Sequence, residues 1–390
     1  MSERISELIH VKIPSFSDCH IPPIAMTSAY NFDSAMDASE KFSGKEEGNI
    51  YSRFTNPNVE LFEKKVSVLE GAEASIAFSS GMSAYQAIAN SFLKSDDHVI
   101  LANGIFGTTT SFFKNYIQKF GINVTTTDLT IENINSQINE KTKMILIESP
   151  TNPLLHSINI AELSSITQIN DIILVVDNTL LSPIFQRPLE LGATLSLNSA
   201  GKFFDGQGRC VGGTVSGSKE YTKSLKIYLR HTGNCLSPFN AWILANSLDT
   251  LELRMLRHQS NTKVVYDWLK TNPLVSKIYS TLDDDIKNKL IPNLVNSNGD
   301  TPIIAFVIKG DKACTWEFID NLKFIHNCTN IGGSKTLISH SATTTHNKYS
   351  DDERQRLGIT DSFLRLCIGL EDPVDLINDL EQAFNRIGIK

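Results

Sequence analysis

Polar and apolar positions are weakly ordered over the first fifty or so residues and become regular near residue 60. LFEKKVSVLE (61–70) carries its apolar residues at helical spacing, and ASIAF (74–78) is an apolar run of strand length. SSGMSAYQAIANSFL (79–93) sets Met82, Tyr85, Ile88, Ala89 and Phe92 on one helical face. HVILA (98–102), INVTTTD (122–128), MILIES (144–149), IILVVD (172–177) and ATLSLNS (193–199) read as further strands. GTTTSFFKNYIQKFG (107–121), closed by glycine, and IAELSSITQI (160–169) read as helices between them. Strands that are apolar throughout and alternate with helices predict a mostly parallel sheet covered on both faces. The pattern changes near residue 235, where 236–270 is a long helical stretch with at most one break. After it, TPIIAFVIKG (301–310) and DSFLRLCIG (361–369) read as strands, ACTWEFIDNLKF (313–324) and DPVDLINDLEQAFNRI (372–387) as helices. This divides the chain into an N-terminal arm (1–58), a large α/β domain (59–248) and a smaller C-terminal α+β domain (249–390).

Composition narrows the class. A length of 390 residues favours two domains over one core, and 41% hydrophobic with 20% charged residues is ordinary for a globular protein. The net charge of −7, with no long Lys/Arg block, argues against nucleic acid as a partner. Apolar runs such as IIAFVI (303–308) are too short to span a bilayer, so no membrane partner is expected. MSERISELIHVKIPSF has no secretory pattern. The cysteines are scattered without a CxxC pair, which favours reduced thiols in the cytoplasm over disulfides or zinc. No HExxH or other tight His/Cys spacing occurs, so no metal is expected.

Ligands in open α/β sheets gather outside the carboxyl ends of the strands. Four such places hold Ser79-Ser80-Gly81-Met82, Ser149-Pro150-Thr151-Asn152-Pro153, Asp177-Asn178-Thr179, and Asn198-Ser199-Ala200-Gly201-Lys202. Taken singly, each has a plain structural reading: Ser80 as a helix cap, Asp177 as a turn residue, Lys202 as a solvated strand end. Sharing one rim, they point to chemistry. A lysine among Ala200, Gly201, Phe203 and Phe204 is poorly hydrated, which lowers its pKa and frees a nucleophilic amine that condenses with aldehydes. A carboxylate can hold a proton on a pyridine nitrogen, and a helix N-terminus with Ser and Gly can hold phosphate. Those are the requirements of pyridoxal 5′-phosphate (PLP). Rival cofactors fit less well: in GQGRCVGG a glycine arrives one residue late for GxGxxG, and no GxxxxGK[ST] occurs.

YSRFTNPNVELFEKKVSVLEGAE (51–73), SSGMSA (79–84), ESPTNP (148–153), VVDNT (175–179), SAGKFFDGQGRCVGG (199–213) and LRLCIGLEDPVDLINDLEQA (364–383), in that order, resemble the Cys/Met-metabolism family of PLP enzymes. The resemblance implies an aminotransferase-like fold (fold type I) with 59–248 as the PLP-binding domain. It assigns covalent cofactor attachment and proton transfer to Lys202, the pyridine nitrogen to Asp177, and the cofactor phosphate to Gly81, Met82 and Ser199. Thr179 joins the cofactor-binding set, and Phe106 is the ring that stacks on the cofactor. Tyr51 and Arg53 would reach the phosphate of a neighbouring subunit, which implies a homo-oligomer, a dimer or dimer of dimers, with the arm contacting that neighbour. Arg365, helped by Asn152 and the Thr336-Leu337 backbone, would hold the substrate α-carboxylate; a planar guanidinium meets a carboxylate with two hydrogen bonds.

Several positions depart from the family pattern. Gly201 stands where threonine is usual, which removes a phosphate donor and suggests weaker PLP binding; Asn198 stands for histidine, and Ser341 for proline. Phe106 stands where many members have tyrosine. A phenyl ring gives no proton, and a carboxylate leaving group, whose acid has a pKa of about 4, needs none. With FGTTTS, DGQGRCVGG and TLISHSATTTH (336–346), this points to the branch that makes homocysteine from O-succinylhomoserine and sulfide. Arg209 is the candidate reader of the succinyl carboxylate, against the plain alternative of an arginine satisfying loop carbonyls. An O-acetyl ester, cystathionine γ-synthesis, methionine γ-elimination and a degenerate, cofactor-poor subunit remain the alternatives.

Overall fold

The computed structural model describes residues 2–295, 299–347 and 349–387. Its larger sheet has seven strands: β1 (Ala74–Phe78), β2 (His98–Ala102), β3 (Asn123–Thr127), β4 (Thr142–Glu148), β5 (Ile173–Asp177), β6 (Leu195–Asn198) and β7 (Gly213–Gly217), in the order β1-β7-β6-β5-β4-β2-β3. The run β3-β2-β4-β5-β6 is parallel, and β7 is antiparallel to both β6 and β1. Six strands therefore point the same way and bring their carboxyl ends to one rim. Strands β2 and β5 are buried at every residue, as both-face coverage requires. Helices Gly81–Phe92 and Lys219–Thr232 cover one face through Tyr85, Ile88, Ala89, Leu225 and Leu229.

A broken helix, Pro238–Leu248 and Leu251–Thr271, leads to the second sheet. This comprises β8 (Val275–Ser280), β9 (Ile303–Ile308), β10 (His326–Asn327), β11 (Leu337–His340) and β12 (Phe363–Cys367), ordered β10-β11-β12-β9-β8 and antiparallel except for β10-β11. Helix Pro373–Phe384 packs Leu376, Leu380 and Phe384 against this sheet and helix Leu251–Thr271.

Two local expectations change, for the segment 107–121 and for the arm, and one strand is added. The segment 107–121 is helical only over Gly107–Asn115, and a separate 3-10 turn follows at Ile117–Phe120. Strand β7, GTVSG, carries no apolar run yet is wholly buried, because small residues let it lie between two strands under a helix. The arm is not uniformly coreless. Helix Ser2–Ile9 docks on its own subunit, with Leu8 and Ile13 buried against Leu61, Phe62 and Val66, whereas Ile21, Met26, Met36 and Phe42 are exposed.

Candidate active site

The rim is assembled from strand ends. Ser80, after β1, caps helix Gly81–Phe92 by accepting the Ser83 N–H at 3.0 Å, which leaves the free N–H groups of the first turn facing the rim. Ser199, after β6, lies opposite: a Cβ on Gly81 would come within 3.2 Å of its own. The Ser199 N–H donates to Thr179 Oγ1 (2.9 Å), and the Thr179 N–H donates to Asp177 Oδ1 (2.9 Å). Thr179 thereby ties the carboxylate to the serine of the lysine segment. Gly81, Ser199, Thr179 and Asp177 are thus linked in one chain of contacts, with Met82 next to Gly81 in the helix.

Asp177 is buried at the end of β5, and burial raises its pKa while bonds from Thr179 and Tyr85 oppose the rise. The Tyr85 hydroxyl donates to Asp177 Oδ2 at 2.5 Å. Glu148, the register partner of Asp177 on β4, is also buried; its pKa is pushed well up by burial and then by the Asp177 charge. Glu148 Oε2 accepts the Phe106 N–H at 3.0 Å, which ties the Phe106 backbone to this cluster while its ring is exposed.

Lys202 follows three residues after Ser199, and its Nζ donates to Asn330 Oδ1 at 2.5 Å. Burial, then the positive charge of Arg365, lowers the Lys202 pKa, as a nucleophilic amine requires. Arg365 lies buried on β12. Its Nη1 donates to Asn152 Oδ1 (3.3 Å) and its Nη2 to the carbonyls of Thr329 (2.6 Å) and Asn330 (3.3 Å), while Nε is buried with no partner among the described residues. An unpaired guanidinium N–H beside a desolvated amine is a site waiting for a carboxylate.

The remaining sequence candidates take other positions. Arg209 binds Asp205 through Nε–Oδ1 (2.9 Å) and donates through Nη2 to the Asp205 carbonyl (3.2 Å) and Ser247 Oγ (2.5 Å), so the bonds it makes are those of a loop-holding arginine. The Thr336 N–H and hydroxyl both go to the Glu371 carboxylate (2.5 and 2.8 Å), and Leu337 pairs with Cys367 in the sheet. Arg53 stacks on the Tyr51 and Phe54 rings and donates to the Arg230 carbonyl; none of these partners belongs to the Lys202 segment.

Two departures gain physical explanations. A Cβ at residue 201 would stand 2.6 Å from the Cys210 carbonyl oxygen, so glycine is what the close return of residues 206–212 admits. Asn198 Nδ2 donates to Glu70 Oε1 (2.6 Å), which also accepts from Ser196 Oγ (3.1 Å), making Asn198 part of a buried polar pocket beneath the rim. Glu148, Tyr85 and Asn330 were missed in the sequence. Glu148 ends a strand inside a quoted motif and was findable; Tyr85 read as an apolar-face residue; Asn330 sits in a loop with no local signal.

The residues present fit PLP: a desolvated amine for its aldehyde, a buried carboxylate for its ring nitrogen, and a serine with a helix N-terminus for its phosphate. Fold and rim together define a PLP-dependent enzyme with a large parallel-sheet domain and a smaller C-terminal sheet. The chain belongs to the Cys/Met metabolism PLP-dependent enzyme family, which matches residues 7–385. It is 39% identical to the O-succinylhomoserine sulfhydrylase of Pseudomonas aeruginosa, over 93% of this chain and 90% of that one. It is 34% identical to the L-methionine gamma-lyase of Treponema denticola, over 94% and 92%. Among solved structures it is similar to a putative O-acetylhomoserine (thiol)-lyase of Campylobacter jejuni that carries N'-pyridoxyl-lysine-5'-monophosphate, with TM-score 0.92, 28% identity and coverage of 98% and 99%. The protein is thus a PLP enzyme of sulfur amino acid metabolism, acting by γ-replacement or γ-elimination.

Proposed function

We propose that the reaction is γ-replacement on O-succinylhomoserine, in which hydrosulfide displaces succinate and yields homocysteine. The Cγ–O bond breaks with its electron pair leaving on the succinate carboxylate, and a Cγ–S bond forms. The bound cofactor supplies an electron sink for charge that develops on the substrate carbons. Arg365 and Asn152 hold the substrate α-carboxylate, and the unpaired Arg365 Nε–H adds the second hydrogen bond. Lys202, whose pKa is lowered by burial and then by the Arg365 charge, takes the Cα proton and returns protons to the substrate carbons. Asp177 holds the cofactor ring nitrogen, and Gly81, Met82 and Ser199 hold its phosphate.

The observation that carries the choice of an ester over a thioether is Phe106. Its backbone engages Glu148 and its exposed ring has no proton to give, which suits a carboxylate leaving group. The Pseudomonas relative supports the succinyl ester. The lyase relative favours methionine γ-elimination as the second reading. The test is to supply O-succinylhomoserine, O-acetylhomoserine and methionine in turn, with sulfide, with cysteine or with neither, and to quantify homocysteine, cystathionine and 2-oxobutyrate. Homocysteine formed fastest from the succinyl ester and sulfide is expected; 2-oxobutyrate from methionine alone at a higher rate would replace this reading with the lyase.

We further infer an active site shared between two subunits, with Tyr51 and Arg53 of one arm completing the phosphate site of its neighbour. The exposed arm residues Ile21, Met26, Met36 and Phe42 support it.

A further inference from the structure

We propose that Tyr85 is a positioning residue that keeps the negative charge of the ring-nitrogen site on Asp177 rather than on Glu148. The inference rests on the role proposed above for Asp177. Asp177 and Glu148 are register partners on adjacent parallel strands, and both are buried. Two anionic carboxylates side by side in an enclosed site are unfavourable, so one of them holds a proton. The hydrogen bonds that each carboxylate accepts decide which. Asp177 accepts two hydrogen bonds, from the Tyr85 hydroxyl at Oδ2 (2.5 Å) and the Thr179 N–H at Oδ1 (2.9 Å). Among the described residues Glu148 accepts one, from the Phe106 N–H (3.0 Å). Donors stabilise the anion, and the Asp177 side holds the additional one.

Tyr85 is well placed for this task. It lies one helical turn beyond Gly81 on helix Gly81–Phe92, so the helix whose N-terminus faces the phosphate also delivers the phenol to the carboxylate. Its side chain is buried in the sheet-covering core, where phenylalanine would pack equally well and a hydroxyl is costly unless bonded. Besides Asp177 and Glu148, the charged group that reaches the cluster is Arg365, which acts on Glu148. Removing the phenol makes Asp177 a stronger base. The proton shared between Asp177 and the cofactor ring then moves toward the carboxylate, and the ring becomes a weaker electron sink.

The experiment uses holoenzyme loaded with PLP labelled with ¹⁵N at the ring, and the readout needs no substrate. Wild-type protein is expected to give a protonated ring-nitrogen signal. In Tyr85→Phe the signal is expected to shift toward the unprotonated position and to become pH-dependent near neutrality. The kcat should fall about tenfold to a hundredfold, the worth of a hydrogen bond to a charged group, with KM unchanged. Adding Glu148→Gln, which removes the competing carboxylate while leaving an acceptor for Phe106, should move the signal back. An unchanged signal in Tyr85→Phe, or a shifted one that Glu148→Gln does not reverse, overturns the proposal and leaves Tyr85 as packing. Circular dichroism of both variants separates a charge effect from misfolding, and a PLP-free Tyr85→Phe protein that regains cofactor on adding Glu148→Gln also supports it. Asp177→Asn tests the underlying reading separately: a protonated signal retained there removes the role of Asp177 itself, whatever Tyr85 does.

Discussion

Gly201 shows how one residue is fixed by what passes over it. The residue before the lysine lies under the Cys210 carbonyl, at a distance that no side chain can share. Restoring the family's threonine therefore does not restore a phosphate donor unless residues 206–212 move. Gly201→Thr is expected to destabilise the protein by about 1–3 kcal/mol, the usual cost of overpacking, and to bind PLP no more tightly. Urea unfolding and PLP titration check both halves; tighter PLP binding at unchanged stability would show that the segment yields. Arg365 is fixed in the opposite sense, held by three bonds and left with a fourth donor to offer.

At the scale of elements, the end of helix Pro57–Glu70 reaches under β6, where Glu70 meets Ser196 and Asn198. Burial pushes the Glu70 pKa up to about 7 from an ordinary 4.5. The folded chain therefore holds this proton more tightly than the unfolded chain. The stability it contributes is full below about pH 4.5 and is lost as pH rises through about 7. Glu70→Gln should thus become progressively more stable than wild type as pH rises across that window, as urea midpoints at its two ends would register. Elements also mark how far the sequence could be read. Apolar runs made β1, β2, β4 and β5 plain, and the strand-end rule led from them to Lys202 and Asp177. Strands β7, β8, β10 and β11 carried no such signal, being small-residue, partly exposed or very short. Tyr85 stayed hidden because its ring obeys the helical period that its hydroxyl then exceeds. Arg365 has the residues of an ordinary sheet strand around it, and only the family resemblance marked it.

For the whole molecule, the decisive matter is which chain completes which site. Lys202→Ala and Arg53→Ala subunits should each form nearly inactive homo-oligomers if Arg53 serves the neighbour. In a hybrid dimer of the two, one site carries both lesions and the other carries neither. Co-expression should therefore recover activity that neither variant shows alone, measured as homocysteine formation by the purified mixture against separately purified proteins combined without exchange. Failure to recover activity would place Arg53 in its own subunit's site. The exposed apolar residues of the arm, Ile21, Met26, Met36 and Phe42, fit a surface that is covered by assembly.

Strand β7 has a consequence beyond filling the sheet. Inserted between β6 and β1, it presses Gly213 against the Ser80 carbonyl, where a Cβ would stand 2.3 Å away. Backbone thus meets backbone directly behind the first turn of helix Gly81–Phe92, and the lysine segment that leads into β7 is anchored at both ends. The entropy of shaping this corner is spent while the chain folds and is not charged again to what binds there. A ligand that binds this corner then adds stability that grows with the logarithm of its concentration.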